Sequence, residues 1–144
     1  MRKLVPILGA AAVGLLAAGT ASGHRVGPAA AACAKAGLAT LEDGKLTIGT
    51  DNPAYPPWFD GGAANGSSWK LNDPANGNGF ESAVAWAVAS GLGFAKSEVE
   101  WKPTGFNQSF RPGKKSFDIY LAQVSYSPVR ARAVDFSSSY YDVD

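Results

Sequence analysis

The chain has 144 residues and a formal net charge of +1, from 13 basic and 12 acidic side chains. That is enough for about one domain, and the charge is too even for a field aimed at nucleic acid or a membrane surface. One His and one Cys argue against a Ser-His-Asp triad, a Cys-His pair or a His- or Cys-rich zinc site, and no metal or cofactor is expected.

The first element is read as a leader. Arg2 and Lys3 precede an apolar run from Leu4 to Ala18 that is short for a membrane-spanning helix. Ala21-Ser22-Gly23 supplies small residues for cleavage, so residues 1–23 read as a signal peptide, with an uncleaved anchor as the other reading. Export to the periplasm or the cell exterior follows. An oxidising compartment leaves the lone Cys33 in need of a partner, and a lipid is a weaker reading because no Leu-like residue stands three before it. Residues 24–44 are rich in Ala and Gly and read as a tether; residues 45–144 form the folded unit.

Lys45 to Thr50 alternates polar and apolar and predicts the first strand. Asp51 to Phe59, DNPAYPPWF, is a loop, because its prolines suit neither a helix nor a central strand. Asp60 to Gly79 is dense in Gly, Asn, Ser and Asp and predicts a long connection or an inserted mobile loop. Phe80 to Leu92 predicts the main helix, with Phe80, Val84, Val88 and Leu92 as its apolar face, Glu81 in the first turn and glycines at the end. Val99-Glu100-Trp101 reads as a second strand, Phe106 to Phe110 as a short helical turn, and Phe117 to Val124 as a third strand. Ser127-Pro128 opens a further short helix, with Ser as N-cap and Pro at the first position. Val134-Asp135-Phe136 starts another extended piece. The order is that of an α/β fold with a parallel sheet.

Ligands in open α/β sheets sit beyond the carboxyl ends of the strands. Asp51 lies just past the first strand, and Ser125 and Arg130 lie just past the third. A guanidinium in the first turn of a helix, where N–H groups already attract anions, favours an anionic companion. Arg130 therefore reads as a carboxylate clamp or as a solvated side chain on a surface turn. Asp51 reads as a ligand contact or as an Asx-turn. Tyr55, Trp58 and Phe106 are aromatics beside these loops that suit stacking on an organic ligand; Trp58 fits packing of loop onto core better. Asp118 and Asp135 read as strand-end and cap residues, and Gly77 to Ser82 lacks what a phosphate loop needs.

Four segments in order, KLTIGTDNPAYPPWF, GNGFESAVAWAVASGLGF, FNQSF and FDIYLAQVSYSPVRARAVDFSSSYY, resemble the family 3 extracellular solute-binding proteins, the receptors of amino-acid ABC importers. The likeness runs from about Leu46 to Asp142. It implies a periplasmic-binding-protein-like fold of type 2, with this chain as a partial first lobe whose parallel sheet is flanked by helices. It further implies a monomer that binds an amino acid, docks on a membrane permease and meets no nucleic acid. In that family the Arg matching Arg130 holds the ligand's α-carboxylate, and the Ser matching Ser125 bonds the ligand too. Asp51 matches an acid that meets an ammonium or polar side chain, and Tyr55 and Phe106 match flanking aromatics. Gln123 and Ala122 stand where many relatives carry Ser or Asn, so Ala122 loses one hydrogen-bonding side chain. Relatives are about twice as long, as a two-domain chain requires. The resemblance thus implies a second lobe, and a disulfide partner for Cys33, beyond this sequence. Two other readings share the architecture: a dehydratase-type enzyme reusing Arg130 for its substrate's carboxylate, and an extracytoplasmic sensor or interaction domain.

Overall fold

The computed structural model describes residues 35–142. The leader, the first part of the tether, His24 and Cys33 lie outside the described residues. Three parallel strands form one sheet in the order β2-β1-β3: β1 Leu46–Thr50, β2 Val99–Pro103 and β3 Ile119–Tyr120. A central parallel strand is covered on both faces, and all five residues of β1 are buried.

Alternation along β1 divides its two faces. Leu46 and Ile48 pack with Ala85, Ala89, Phe94 and Leu121 into the core, with Val99, Trp101 and Ile119 against its margin. On the other side, Phe117 and Tyr120 lie directly over Gly49. A methyl group there would stand 2.9 Å from the Tyr120 ring and 3.1 Å from the Phe117 ring. Asp118 locks the start of β1 beside them, its two carboxylate oxygens accepting from the Leu41 and Thr47 amides, each at 2.7 Å. It is a strand-end residue, as read.

Helix α1 spans Phe80–Gly91 and helix α2 is the single turn Phe106–Ser109. The predicted apolar face of α1 holds only in part: Val84 and Leu92 pack against the margin of the core, and Phe80 and Val88 do not. Its buried residues are Glu81, Ser82, Ala85 and Ala89, whereas Phe80 and Val88 are about two-fifths exposed. At 3.6 residues per turn a row taken every fourth residue drifts by about 40° a step, so Phe80 and Leu92 do not share one face. The small side chains of Ala85 and Ala89 let the helix sit close on the sheet.

The third strand is also shorter than predicted. Only Ile119 and Tyr120 pair with β1, because the chain turns away at Gln123, whose φ is +50°. Val134 to Phe136 is not a strand in the structure. The helix predicted at Ser127-Pro128 shrinks to one 3-10 turn, Arg130–Arg132. Its N-cap is Val129, without a side-chain cap, so the Ser127 cap predicted from sequence is not formed; Ser127 Oγ accepts from the Arg130 amide at 3.3 Å and its carbonyl from the Ala131 amide at 3.0 Å. A single turn carries little macrodipole, so the dipole part of the Arg130 argument falls away.

The polar loop of residues 60–79 is tied down by its own amides. Buried Asn72 donates to the Ala54 carbonyl and accepts from Gly62 N–H, and Asp73 caps the short turn Pro74–Asn76. Gly79 is obligatory there. Its φ is +90°, and an added methyl would lie 2.5 Å from the Trp58 carbonyl oxygen. Residues 35–44 lie along the domain: the Lys35 amide donates to the Leu92 carbonyl at 2.9 Å, and its ammonium pairs with Glu98.

Candidate functional site

Because the strands are parallel, their carboxyl ends meet at one edge. Two hydrogen bonds gather the tips there. The Thr104 amide, just past β2, donates to the Thr50 carbonyl at the end of β1 (2.8 Å). The Tyr120 hydroxyl at the end of β3 donates to the Thr104 carbonyl (3.1 Å). Burial first, then the negative charges of Asp51 and Glu81, push the Tyr120 phenol well above its ordinary value of 10, so it stays a proton donor.

A cavity of about 220 Å³ opens between these tips, lined by Thr50, Asp51, Tyr55, Phe106, Ala122 and Gln123 among others. The structure thus brings together four of the six residues singled out from sequence: Asp51, Tyr55, Phe106 and Gln123. Asp51 makes a local contact, its Oδ1 accepting from the Asn52 amide at 2.9 Å, and the residue lines the cavity as well. Tyr55 is 60 % exposed at the rim. Thr50 Oγ1 is buried and has no partner among the described residues.

Ser125 and Arg130, the other two, line a wider, open depression of about 720 Å³ together with Phe110, Ser127 and Arg132. The Arg130 guanidinium faces two aromatic rings. Its central carbon lies 4.6 Å from the Phe110 ring centre and 5.3 Å from that of Phe106. Those rings pack edge to face at 5.5 Å. One guanidinium nitrogen, Nη1, donates to the Ser125 carbonyl at 2.8 Å. No carboxylate pairs with Arg130 among the described residues. Phe106 links the two hollows, since it lines the smaller cavity and supports the guanidinium that borders the wider depression.

Trp58 takes the packing role read for it, against Phe80 at 5.9 Å and Tyr141 at 4.8 Å. The sequence reading passed over Phe110, although it stands four residues after Phe106, the spacing at which two rings share a helix face. It also passed over the partners of Glu81. This carboxylate is fully buried and accepts from the Gln123 amide at 2.7 Å, from the Gln123 side-chain amide and from the Tyr140 hydroxyl at 2.6 Å. Burial, then the hydrogen bond to Glu81, raise the Tyr140 phenol above its usual 10 and keep it a donor. Partners 42 and 59 residues away leave no local signal.

A parallel sheet whose strand tips frame a small cavity, beside a stacked Arg with no acidic partner among the described residues, suits the binding of a small solute. Bacterial extracellular solute-binding proteins, family 3, match residues 46–144, from the first residue of β1 onward, and the chain belongs to this family. No curated protein and no solved structure matches it. The fold is accordingly periplasmic-binding-protein-like, and its three-stranded sheet with flanking helices corresponds to part of a lobe. The family consists of binding proteins that take small molecules, generally without enzymatic activity, and its description places it outside the cytoplasm.

Proposed function

We propose that this chain is the substrate-binding component of an ABC importer for amino acids, and that Arg130 receives the ligand's α-carboxylate. The observation that carries this is the guanidinium stacked on Phe106 and Phe110, oriented by the Ser125 carbonyl and without an acidic partner among the described residues. A guanidinium so held retains N–H donors for a planar anion. Ser125 and Ser127 stand beside it for further bonds. Asp51, Tyr55, Phe106 and Gln123 surround the neighbouring cavity, which suits the ammonium and side chain of the same solute.

In this reading residues 1–23 export the protein, residues 24–44 tether it, and residues 45–144 supply one wall of a cleft. A second lobe beyond this sequence closes the other side, and the closed monomer docks on the permease. Closure matters energetically. A charge-assisted hydrogen bond contributes about 1.5–3 kcal/mol net, and millimolar binding already takes about 4 kcal/mol. One open wall therefore binds an amino acid at about millimolar strength or weaker. Calorimetric titration of the chain with L-amino acids tests the reading. Weak binding abolished by Arg130→Ala supports it; micromolar binding unaffected by that substitution contradicts it.

A further inference from the structure

Gln123 is the only non-glycine residue with a positive φ among the described residues, at +50°. A side chain with a Cβ is disfavoured there and persists only where its surroundings impose it. The turn lies just after β3, and Gln123 lines the small cavity next to Ala122. What imposes the turn is on the page. The Glu81 carboxylate, in the first turn of α1, grips Gln123 twice: one oxygen accepts the backbone amide at 2.7 Å and the other the side-chain amide. Glu81 is fully buried, with no cationic partner among the described residues. A buried charge held only by neutral donors is expensive to keep. Its third donor is Tyr140, whose ring, with that of Tyr141, packs on Phe80; Tyr141 also meets Trp58. These aromatics lie over the N-terminal turn that carries Glu81.

We propose that Glu81 is a positioning residue that sets the left-handed turn at Gln123 and thereby fixes the wall of the cavity at the strand tips. The pair is also specific in chemistry. An ionised carboxylate accepts at both oxygens, whereas a glutamine at 81 turns one N–H₂ group toward donors. A glycine at 123 adopts the same φ unaided. The importance of the turn for binding rests on the amino-acid reading above; the geometry of the turn does not.

The test is NMR on the full chain without ligand, so failure of the carboxylate reading leaves it intact. In the wild type the Gln123 amide exchanges with solvent at least about tenfold more slowly than an unstructured amide. Glu81→Gln removes most of that protection and moves the resonances of Asp51 and Phe106. In a Gln123→Gly background the same substitution moves those two resonances far less. Equal shifts in both backgrounds overturn the proposal, because they show Glu81 acting on the fold at large. Should Glu81→Gln fail to fold, the wild type decides alone: an unprotected Gln123 amide overturns the proposal, and a protected one supports it.

Discussion

The guanidinium carbon of Arg130 lies 4.6 Å from the centre of the Phe110 ring, so the cation is supported by an aromatic face and, among the described residues, by no acid. Such contacts contribute about 0.5–2 kcal/mol, more as water is removed. They fix the plane of the guanidinium without using up all its N–H groups. The arrangement distinguishes Arg from Lys at this position. Arg130→Lys keeps the charge and loses the fork and the stack. It is expected to weaken carboxylate binding by about 1.5 kcal/mol or more, read as the loss of saturation in a titration with L-amino acids. Undiminished binding by the Lys variant sinks the stacked-fork account. Phe110→Leu is expected to act in the same direction by a smaller amount.

Thr50 offers a prediction of unusual sign. Its hydroxyl is buried and has no partner among the described residues, and a buried unpaired hydroxyl costs about 1–3 kcal/mol. Thr50→Val removes the hydroxyl at nearly constant shape. Urea denaturation of the unliganded chain is expected to show equal or greater stability for the variant. A loss of more than about 1 kcal/mol means that the hydroxyl is bonded in solution.

Gly49 and Gly79 are predicted to reject even a methyl group, for different reasons. At Gly49 the obstacles are two rings, Tyr120 and Phe117, which move at the cost of overpacking, about 1–3 kcal/mol. At Gly79 the obstacle is backbone, the Trp58 carbonyl, and φ is +90°. Gly79→Ala is therefore expected to destabilise the protein more than Gly49→Ala, measured by urea midpoints. The reverse order contradicts the packing described.

Stability is predicted to fall at both ends of the pH scale. The Lys35 ammonium first, then the Ala95 amide, hold the Glu98 carboxyl below its usual 4.5. The unfolded chain binds that proton first, so the contribution is complete above pH 4.5 and is lost as pH falls through the lower, folded value. Tyr140 behaves in the opposite sense. Its phenol is raised above 10 by burial and by Glu81, so its contribution is complete below pH 10 and is lost on further alkalinisation. Urea midpoints across the acid limb should flatten in Glu98→Gln, and those across the alkaline limb in Tyr140→Phe. Unchanged limbs in both variants would falsify these assignments.

Local pattern made β1, α1, β2 and the short α2 legible in the sequence, because strand alternation and stops at Gly and Pro act over a few residues. The gathering of Asp51, Tyr55, Phe106 and Gln123 at one edge follows from a parallel sheet, which the element order implies. Local pattern failed where a distant group decides. An apolar run predicts β3 as far as Val124, yet the Glu81 carboxylate captures the Gln123 amide and bends the chain first. The row Phe80, Val84, Val88 and Leu92 looks like a core face, yet only Val84 and Leu92 pack against the core, while the helix fully buries Ala85, Ala89, a serine and an acid. The value of Glu81 depends on Tyr140, 59 residues later, and no spacing rule reaches that far.

The central claim is that Arg130 reads a carboxylate. Adding L-amino acids, and separately their carboxamides, to isotope-labelled chain while following the side-chain resonances of Arg130 tests it most directly. The account predicts shifts at Arg130 and at the neighbouring Ser125 and Ser127 amides with the free acids, little change with the amides, and no response in Arg130→Ala. Equal shifts from acids and amides, or an unchanged response at Ser125 and Ser127 in Arg130→Ala, contradict it.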